Sequence, residues 1–329
     1  FQTAQYTEIA GIPELRSSLS THMNKVYNGN TSLNNVLISS GCNQAYCLTI
    51  MALAKAGDEI ILPEPYYFNH LMWLEMLGIK AKLMPFKPDQ NGIPNPLDAE
   101  RLVTKKTKAI VLISPNNPTG AIYPPDIITS FYELARDKEI ALIIDETYKD
   151  FLGSIQPHFL FQKKQWEETF IQIYSFSKVF SLTGYRVGSI IAGDKTIKSI
   201  TKIMDTLAIC APRISQDAAL FGLANLSNWV SEKQKIIKDR CDFVQGLFQS
   251  KDINFELVSC GAYFAYIKHP FVELSARQVA MKLAKQANIL CLPGTFFGPN
   301  QEHFLRFAFA NASIEEMTLV EERLRQYYD

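Results

Sequence analysis

Short β-rich runs, several of them continuously apolar, recur along this chain. The clearest are NVLIS (35–39), DEIIL (58–62), KAKLM (80–84), AIVLIS (109–114), IALIID (140–145), FIQIYS (170–175) and VGSIIAG (187–193). Several lack the apolar-polar alternation of a half-exposed strand. They read as strands buried on both faces of a mainly parallel sheet. Stretches with helical spacing lie between them, at Asn43 to Ala56, Tyr66 to Leu77 and Pro125 to Lys138. The alternation predicts an open α/β fold, with a mainly parallel seven-stranded sheet flanked by crossover helices.

The pattern changes after Ile214. From there to about Ser250 the chain reads as long helix with no strand signal. FELVSCGAYFAYIKH (255–269) reads as strands with a turn, SARQVAMKLAKQAN (275–288) as a helix and HFLRFAFA (303–310) as a strand. SIEEMTLVEERLRQYY (313–328) closes as a helix with Ser313 as N-cap. The mixture predicts a smaller α+β domain over 246–329 behind a large domain over 1–245. No repeat or low-complexity segment interrupts either part.

Composition narrows the function classes. Of 329 residues, 47% are hydrophobic, enough to bury the cores of two domains. Lys plus Arg is 33 and Asp plus Glu is 33, so the formal charge is zero and no nucleic-acid or polybasic membrane surface is expected. The longest apolar runs are strand-sized and too short to cross a bilayer. The six cysteines, Cys42, Cys47, Cys210, Cys241, Cys260 and Cys291, form no CxxC. They suggest free thiols in a reducing compartment, so the expected location is cytoplasmic. The five histidines are dispersed without metal-ligand spacing, so no metal is expected. The chain opens on Phe1 rather than Met, and FQTAQYTEIAGIPELR is no signal peptide. The expectation is that a native N-terminal segment precedes it.

Ligands of open α/β sheets bind outside the carboxyl ends of the strands. The residues just beyond each apolar run are therefore the place to seek a site. After NVLIS comes SGCNQA, a glycine and small polar residues leading into a helix whose N–H groups could cradle a phosphate. After DEIIL comes PEPYYFNH, with paired tyrosines and His70; after AIVLIS comes PNNPTG. IALII ends on Asp145 with Tyr148 three residues on, and FIQIY ends on SFSK with Lys178. Each piece has an ordinary reading on its own. PNNPTG makes a good turn, Asp145 a helix cap, the tyrosines packing, and a lone lysine solvated surface. Gly184-Tyr-Arg-Val-Gly188 is too short for a dinucleotide fingerprint and precedes a strand rather than following one. Their convergence at strand ends is the stronger signal.

Taken together, the segments resemble the class I/II aminotransferases, which use pyridoxal phosphate. SFSKVFSLTGYRVG resembles the family's cofactor-attachment signature, SPNNPTG its asparagine loop and DETYKDF its aspartate-x-x-tyrosine segment. CLPGTFFGP and HFLRFAFA resemble its closing motifs, and the resemblance runs from about Tyr6 to the C-terminus. It implies that Lys178 forms a Schiff base with the cofactor and then moves a proton. It implies that Asp145 keeps the ring nitrogen protonated, with His70 orienting it. Tyr148 and Asn117 match the partners of the ring's phenolic oxygen, and Tyr67 the aromatic that stacks on the ring. Gly41, Cys42 and Asn43 match the phosphate loop, and Ser175 and Arg186 its side-chain donors. Arg306 resembles the arginine that binds the substrate α-carboxylate, with Asn117 beside it. Tyr6 resembles a tyrosine that reaches the phosphate of a neighbouring subunit, which implies a homodimer.

The implied activity is amino transfer between an α-amino acid and a 2-oxo acid. Alternatives on the same fold are a lyase, a decarboxylase or a cyclic amino-acid synthase. A ligand-sensing domain of a transcription regulator is a further one, although the chain shows no basic stripe or helix-turn-helix. No second arginine can be assigned to a distal carboxylate. Tyr66, Tyr67, Phe296 and Phe297 point to an apolar or aromatic substrate side chain, or to packing.

Overall fold

The computed structural model describes residues 4–250 and 252–326. Seven strands share one sheet: β1 (Val36–Ser39), β2 (Glu59–Pro63), β3 (Lys80–Met84), β4 (Thr107–Ile113), β5 (Ala141–Asp145), β6 (Phe170–Ser175) and β7 (Gly188–Ile191). They are the seven apolar runs, each matched to within two residues at either end. Their order is β1-β7-β6-β5-β4-β2-β3. From β6 to β3 every pair is parallel, while β7 runs antiparallel to both β6 and β1. Strands β1, β2 and β6 are buried along their whole length, which is why they show no alternation. The edge strand β3 carries Lys80 and Lys82, exposed or half-buried charges that discourage pairing with another chain.

Helices cover the sheet: α1 (Pro13–Tyr27), α2 (Cys42–Leu53), α3 (Phe68–Met76), α4 (Pro96–Leu102), α5 (Pro125–Asp137), the single turn α6 (Phe176–Val179) and α7 (Asp194–Ala208). Helices α1, α4 and α7 add to those read from the strand-helix alternation. In α1, Pro13 opens the first turn and Leu15, Leu19, Met23 and Tyr27 form a fully buried stripe at four-residue spacing.

The expected long helix after Ile214 is two helices, α8 (Arg213–Asn225) and α9 (Ser227–Leu247). Leu226 breaks them with φ −105° and ψ 19°, and its N–H closes α8 on Gly222 O. Asn225 and Ser227 flank the break, and both residue types compete with helix for local hydrogen bonds.

A second sheet is antiparallel, in the order β10-β11-β9-β8. Its strands are β8 (Glu256–Gly261), β9 (Phe264–Lys268), β10 (Leu292–Pro293) and β11 (Phe304–Ala308). Helices α10 (Ala276–Gln286) and α11 (Ile314–Gln326) pack on it. Ser275 caps α10 by a reciprocal box with Gln278. Ser313 opens α11 the same way, accepting from Glu316 N at 3.2 Å and donating its own N–H to Glu316 Oε2 at 2.7 Å. The last residues of the expected closing helix lie outside the described residues. The apolar core of this part includes Ile267, Val279, Leu283, Leu305 and Leu324, with Val244 and Leu247 from the end of α9. It is separate from the core around the large sheet.

Candidate active site

The antiparallel turn of β7 brings three chain ends together. Ser39, at the end of β1, and Ser175, at the end of β6, both pair with Gly188, at the start of β7. Next along the sheet, Asp145 ends β5 and pairs with Ile113, at the end of β4. A cavity of about 190 Å³ opens over this row. Cys42, Asn43, Tyr67, Asn117, Asp145, Tyr148, Ser175, Lys178 and Arg186 line it. Nine of the residues read from the sequence therefore face one space.

At one end stands a cationic cradle. Gly41 caps α2 with φ 84° and ψ 167°, a region open in practice only to glycine. The first N–H groups of α2, on Cys42 and Asn43, have no partner one turn back and carry the positive end of the helix dipole. Arg186 lies against them, since a Cβ on Gly41 would stand 3.0 Å from its guanidinium carbon. Arg186 itself takes φ 53°, and its Nη1 donates to Thr183 O at 2.9 Å. Gly188 allows the close approach, because a Cβ there would meet Cys42 N at 2.8 Å and Tyr174 O at 2.7 Å. Ser175 Oγ accepts from Ser177 N at 3.2 Å, which leaves its O–H free to donate. An alanine at Gly41 is expected to strain the loop by about 1–3 kcal/mol and weaken cofactor binding roughly tenfold. Titration of the apoprotein with pyridoxal phosphate reads this; unchanged affinity would detach the loop from the phosphate.

At the other end lies a buried carboxylate. Asp145 Oδ1 accepts from Thr147 N at 3.0 Å and Thr147 Oγ1 at 2.7 Å, and Oδ2 lies 3.3 Å from His70 Nε2. Burial alone would push this carboxyl up, but the bonds from His70 and Thr147 outweigh it and hold it below the ordinary value. His70 is stacked on Tyr46 with ring centres 4.0 Å apart, so its orientation is fixed by packing.

Lys178 stands between the two ends, on the single turn that follows β6. Among the described residues its Nζ has no hydrogen-bond or ion-pair partner and lies 6.0 Å from the centre of the Tyr148 ring. Burial, then the charges of Arg186 and Arg306, lower its pKa. Burial pushes the Tyr148 hydroxyl well up, and the neighbouring Asp145 charge adds to this.

Arg306 comes from β11 of the second sheet and donates to Asn117 Oδ1 at 2.9 Å. Its guanidinium carbon lies 4.7 Å from the Phe264 ring centre and 4.9 Å from that of Phe297. Its Nε is buried without a partner. In the same loop Asn116 holds the turn, bonding Tyr123 OH at 3.0 Å and Thr119 N at 3.0 Å. Asn117 is thereby left to face the cavity.

Sequence reasoning did not single out Thr147, Ser177 or Thr183, which also line the cavity, or Phe264, which flanks Arg306. The four aromatics read as a group are dispersed. Tyr67 lines the cavity, Phe297 packs on Arg306, Tyr66 is buried and Phe296 is exposed. Tyr6 does not line this cavity; it is 79% exposed, beside a second hollow that includes Ala208 and Ile214.

The arrangement fits pyridoxal phosphate at each of its chemical ends. An anion cradle that a single Cβ would fill, an unpaired amine and a buried carboxylate match its phosphate, its aldehyde and its basic ring nitrogen. Fold and site thus define a pyridoxal-phosphate-dependent transferase. The sequence profile described as aminotransferase class I and II matches residues 2–324, and the chain belongs to that family. It is 28% identical to an aspartate aminotransferase of Pyrococcus horikoshii, over 97% of this chain and 83% of the relative. It is 27% identical to an aromatic aminotransferase of Arabidopsis thaliana, over 98% of this chain and 82% of the relative. A tetra mutant of Thermus thermophilus aspartate aminotransferase superposes with a TM-score of 0.91 at 25% identity, covering 99% of this chain and 88% of that one. The protein is a pyridoxal-phosphate-dependent aminotransferase, moving an amino group between an α-amino acid and a 2-oxo acid. Among the described residues no helix is long and apolar enough to cross a membrane.

Proposed function

We propose that this transfer is carried out by the residues around Lys178, with the substrate α-carboxylate held by Arg306. The observation that carries the reading is the Arg306–Asn117 contact, which brings the second sheet to the cavity beside Lys178. When bound, pyridoxal phosphate supplies an aldehyde that takes up the amino group and a ring that accepts electrons from the α-carbon. Cys42 and Asn43 N–H, Ser175 and Arg186 would hold its phosphate, with Gly41 giving the room. Asp145 would keep a proton on its ring nitrogen, and Tyr67 would offer it an aromatic face. Tyr148 and Asn117 would donate to its phenolic oxygen; Asn117 is able to because Arg306 occupies its Oδ1 and leaves Nδ2 free. Lys178 would hold the aldehyde end, and its unpaired amine is the group that would take and return a proton at the substrate α-carbon.

Arg306 suits a carboxylate for a physical reason. Two aromatic faces fix the fork and remove water from around it, which strengthens a paired, charge-assisted bond. Arg306→Lys is expected to raise the KM for the amino acid about 10–100-fold, the equivalent of ~1.5–3 kcal/mol, with a smaller change in kcat. Steady-state kinetics with a panel of amino acids checks this; an unchanged KM would place the carboxylate elsewhere. The same panel, followed by the absorption of the bound cofactor, ranks the substrates.

The reading also includes a homodimer in which Tyr6 reaches the neighbouring site. Supporting it, Tyr6 shares a hollow with the 57% exposed Ile214, and Leu207 and Ile209, at 53% and 43%, flank Ala208 of that hollow in sequence; exposed apolar residues of this kind are what a second copy would cover. A division into a cofactor unit, 1–245, and a small unit, 246–329, is supported by the two separate cores and cuts α9 near its end. Six free cysteines support a cytoplasmic location.

A further inference from the structure

Cys241, on α9, and Cys260, on β8, face each other with their sulfurs 3.3 Å apart. No part of the transfer reaction uses them. Their orientation is fixed on both sides: Gln245 Nε2 donates to Cys241 Sγ at 3.7 Å, and Cys260 Sγ lies 3.9 Å from Cys241 O. Both are half-buried, and both line a separate cavity of about 580 Å³ between α9, β8 and the turn at Lys149–Phe151. A small molecule can therefore reach the pair.

We propose that Cys241 and Cys260 form a reversible disulfide clip between α9 and β8, closed by exchange with a small-molecule disulfide of the glutathione type. The Cys241 thiolate attacks one sulfur of that disulfide, forming a mixed disulfide and releasing one thiolate. Cys260 then gives up its proton and attacks Cys241 Sγ, releasing the second. The protein loses two hydrogens as the two thiols are oxidised, and one disulfide is reduced to two small thiols. The sulfurs must close by about 1.3 Å to reach bonding distance.

The order of attack follows from the surroundings. A hydrogen bond from Cys260 lowers the pKa of Cys241, against burial and the Asp242 charge, and Lys238, one turn back on α9, helps. The same pairing, with burial, pushes Cys260 well up. Gln245 Nε2 also donates to Cys241 Sγ, a contact that favours its thiolate, so Cys241 is the attacking thiol and Cys260 the resolving one.

The clip has a mechanical consequence. Helix α9 contributes to the second core through Val244 and Leu247, and Cys260 lies on β8, between residues that hold the asparagine loop. Ser259 Oγ donates to Thr119 O at 2.8 Å, and Gly261 packs so closely on Gly120 that a Cβ on Gly120 would meet its N at 2.7 Å. A covalent bond across 241–260 closes a loop of moderate length and restrains the unfolded chain.

The holoenzyme is incubated with oxidised glutathione, blocked with N-ethylmaleimide and mapped by non-reducing peptide mass spectrometry. The expected result is a 241–260 cross-link, a loss of two of the six free thiols and a Tm higher by several degrees, all reversed by dithiothreitol. In Cys260→Ser the exchange stops at a glutathione adduct on Cys241, with no gain in Tm. In Cys241→Ser, Cys260 stays reduced. Adducts on Cys210 or elsewhere without the cross-link would overturn the clip, as would an equal gain in Tm in Cys260→Ser. A cross-link without a rise in Tm would overturn its restraining role.

Discussion

Lys178→Ala is expected to lower kcat/KM by about 10³-fold or more while the protein still binds pyridoxal phosphate non-covalently. The amine stands alone. Among the described residues nothing bonds its Nζ, and burial with the charges of Arg186 and Arg306 lowers its pKa. More of it is therefore the free base at neutral pH, the form that can take up an aldehyde or a proton. The cradle of Gly41, Cys42, Asn43 and Arg186 does not depend on Lys178, so affinity for the phosphate end survives. Treatment with borohydride should fix cofactor to the wild type and not to the variant. Because the Lys178 side chain is only half-buried and its Nζ bonds nothing among the described residues, the variant should keep its Tm. Normal turnover in a folded variant would remove Lys178 from the chemistry.

The strands were legible in the sequence for a simple reason. A strand buried on both faces has little room for polar residues, so β1, β2 and β6 appear as mainly apolar runs, with Glu59 and Gln172 as the exceptions inside them and serines at the ends of β1 and β6. The direction of β7 was not legible. It depends on the path through 176–187, where Ser181 and Arg186 take positive φ values that their residue types do not announce. The break at Leu226 is of the same kind, since a leucine between two helical periods looks like helix.

At the site, residues at strand ends could be read because each stands beside its own apolar run. Asp145, Asn117, Ser175 and Lys178 were found this way. Thr147 was hidden although it lies two residues from Asp145, because a threonine after a strand is common and its bond to the carboxylate appears only in three dimensions. Phe264 was hidden because it acts across the register of the second sheet, beside Ala308 rather than beside Arg306 in sequence. The aromatics 66, 67, 296 and 297, grouped in the sequence, separate in three dimensions. Adjacent positions point to different faces, so Phe297 reaches Arg306 while Phe296 lies in solvent.

The second large effect is expected at Asp145. Asp145→Ala should leave Lys178 able to bind the cofactor but reduce kcat by about 10²–10³-fold, roughly 3–4 kcal/mol. The carboxylate is nearly fully buried, and burial by itself favours its neutral form. His70 and Thr147 reverse that preference, keeping a negative charge at the end of the cavity opposite Arg186. That charge would hold a proton on the cofactor's ring nitrogen, and a protonated ring is the better electron acceptor. Asp145→Asn separates charge from shape: it preserves volume and most hydrogen bonds but cannot hold the proton, so it should fall nearly as far as the alanine. His70→Ala removes one support while Thr147 remains, so its loss should be smaller than either. Rates of the half-reaction with a fixed amino acid distinguish the three. If Asp145→Asn retained near wild-type kcat, the charge would not be the working feature, and the role of Asp145 would reduce to its hydrogen bonds with Thr147 and His70.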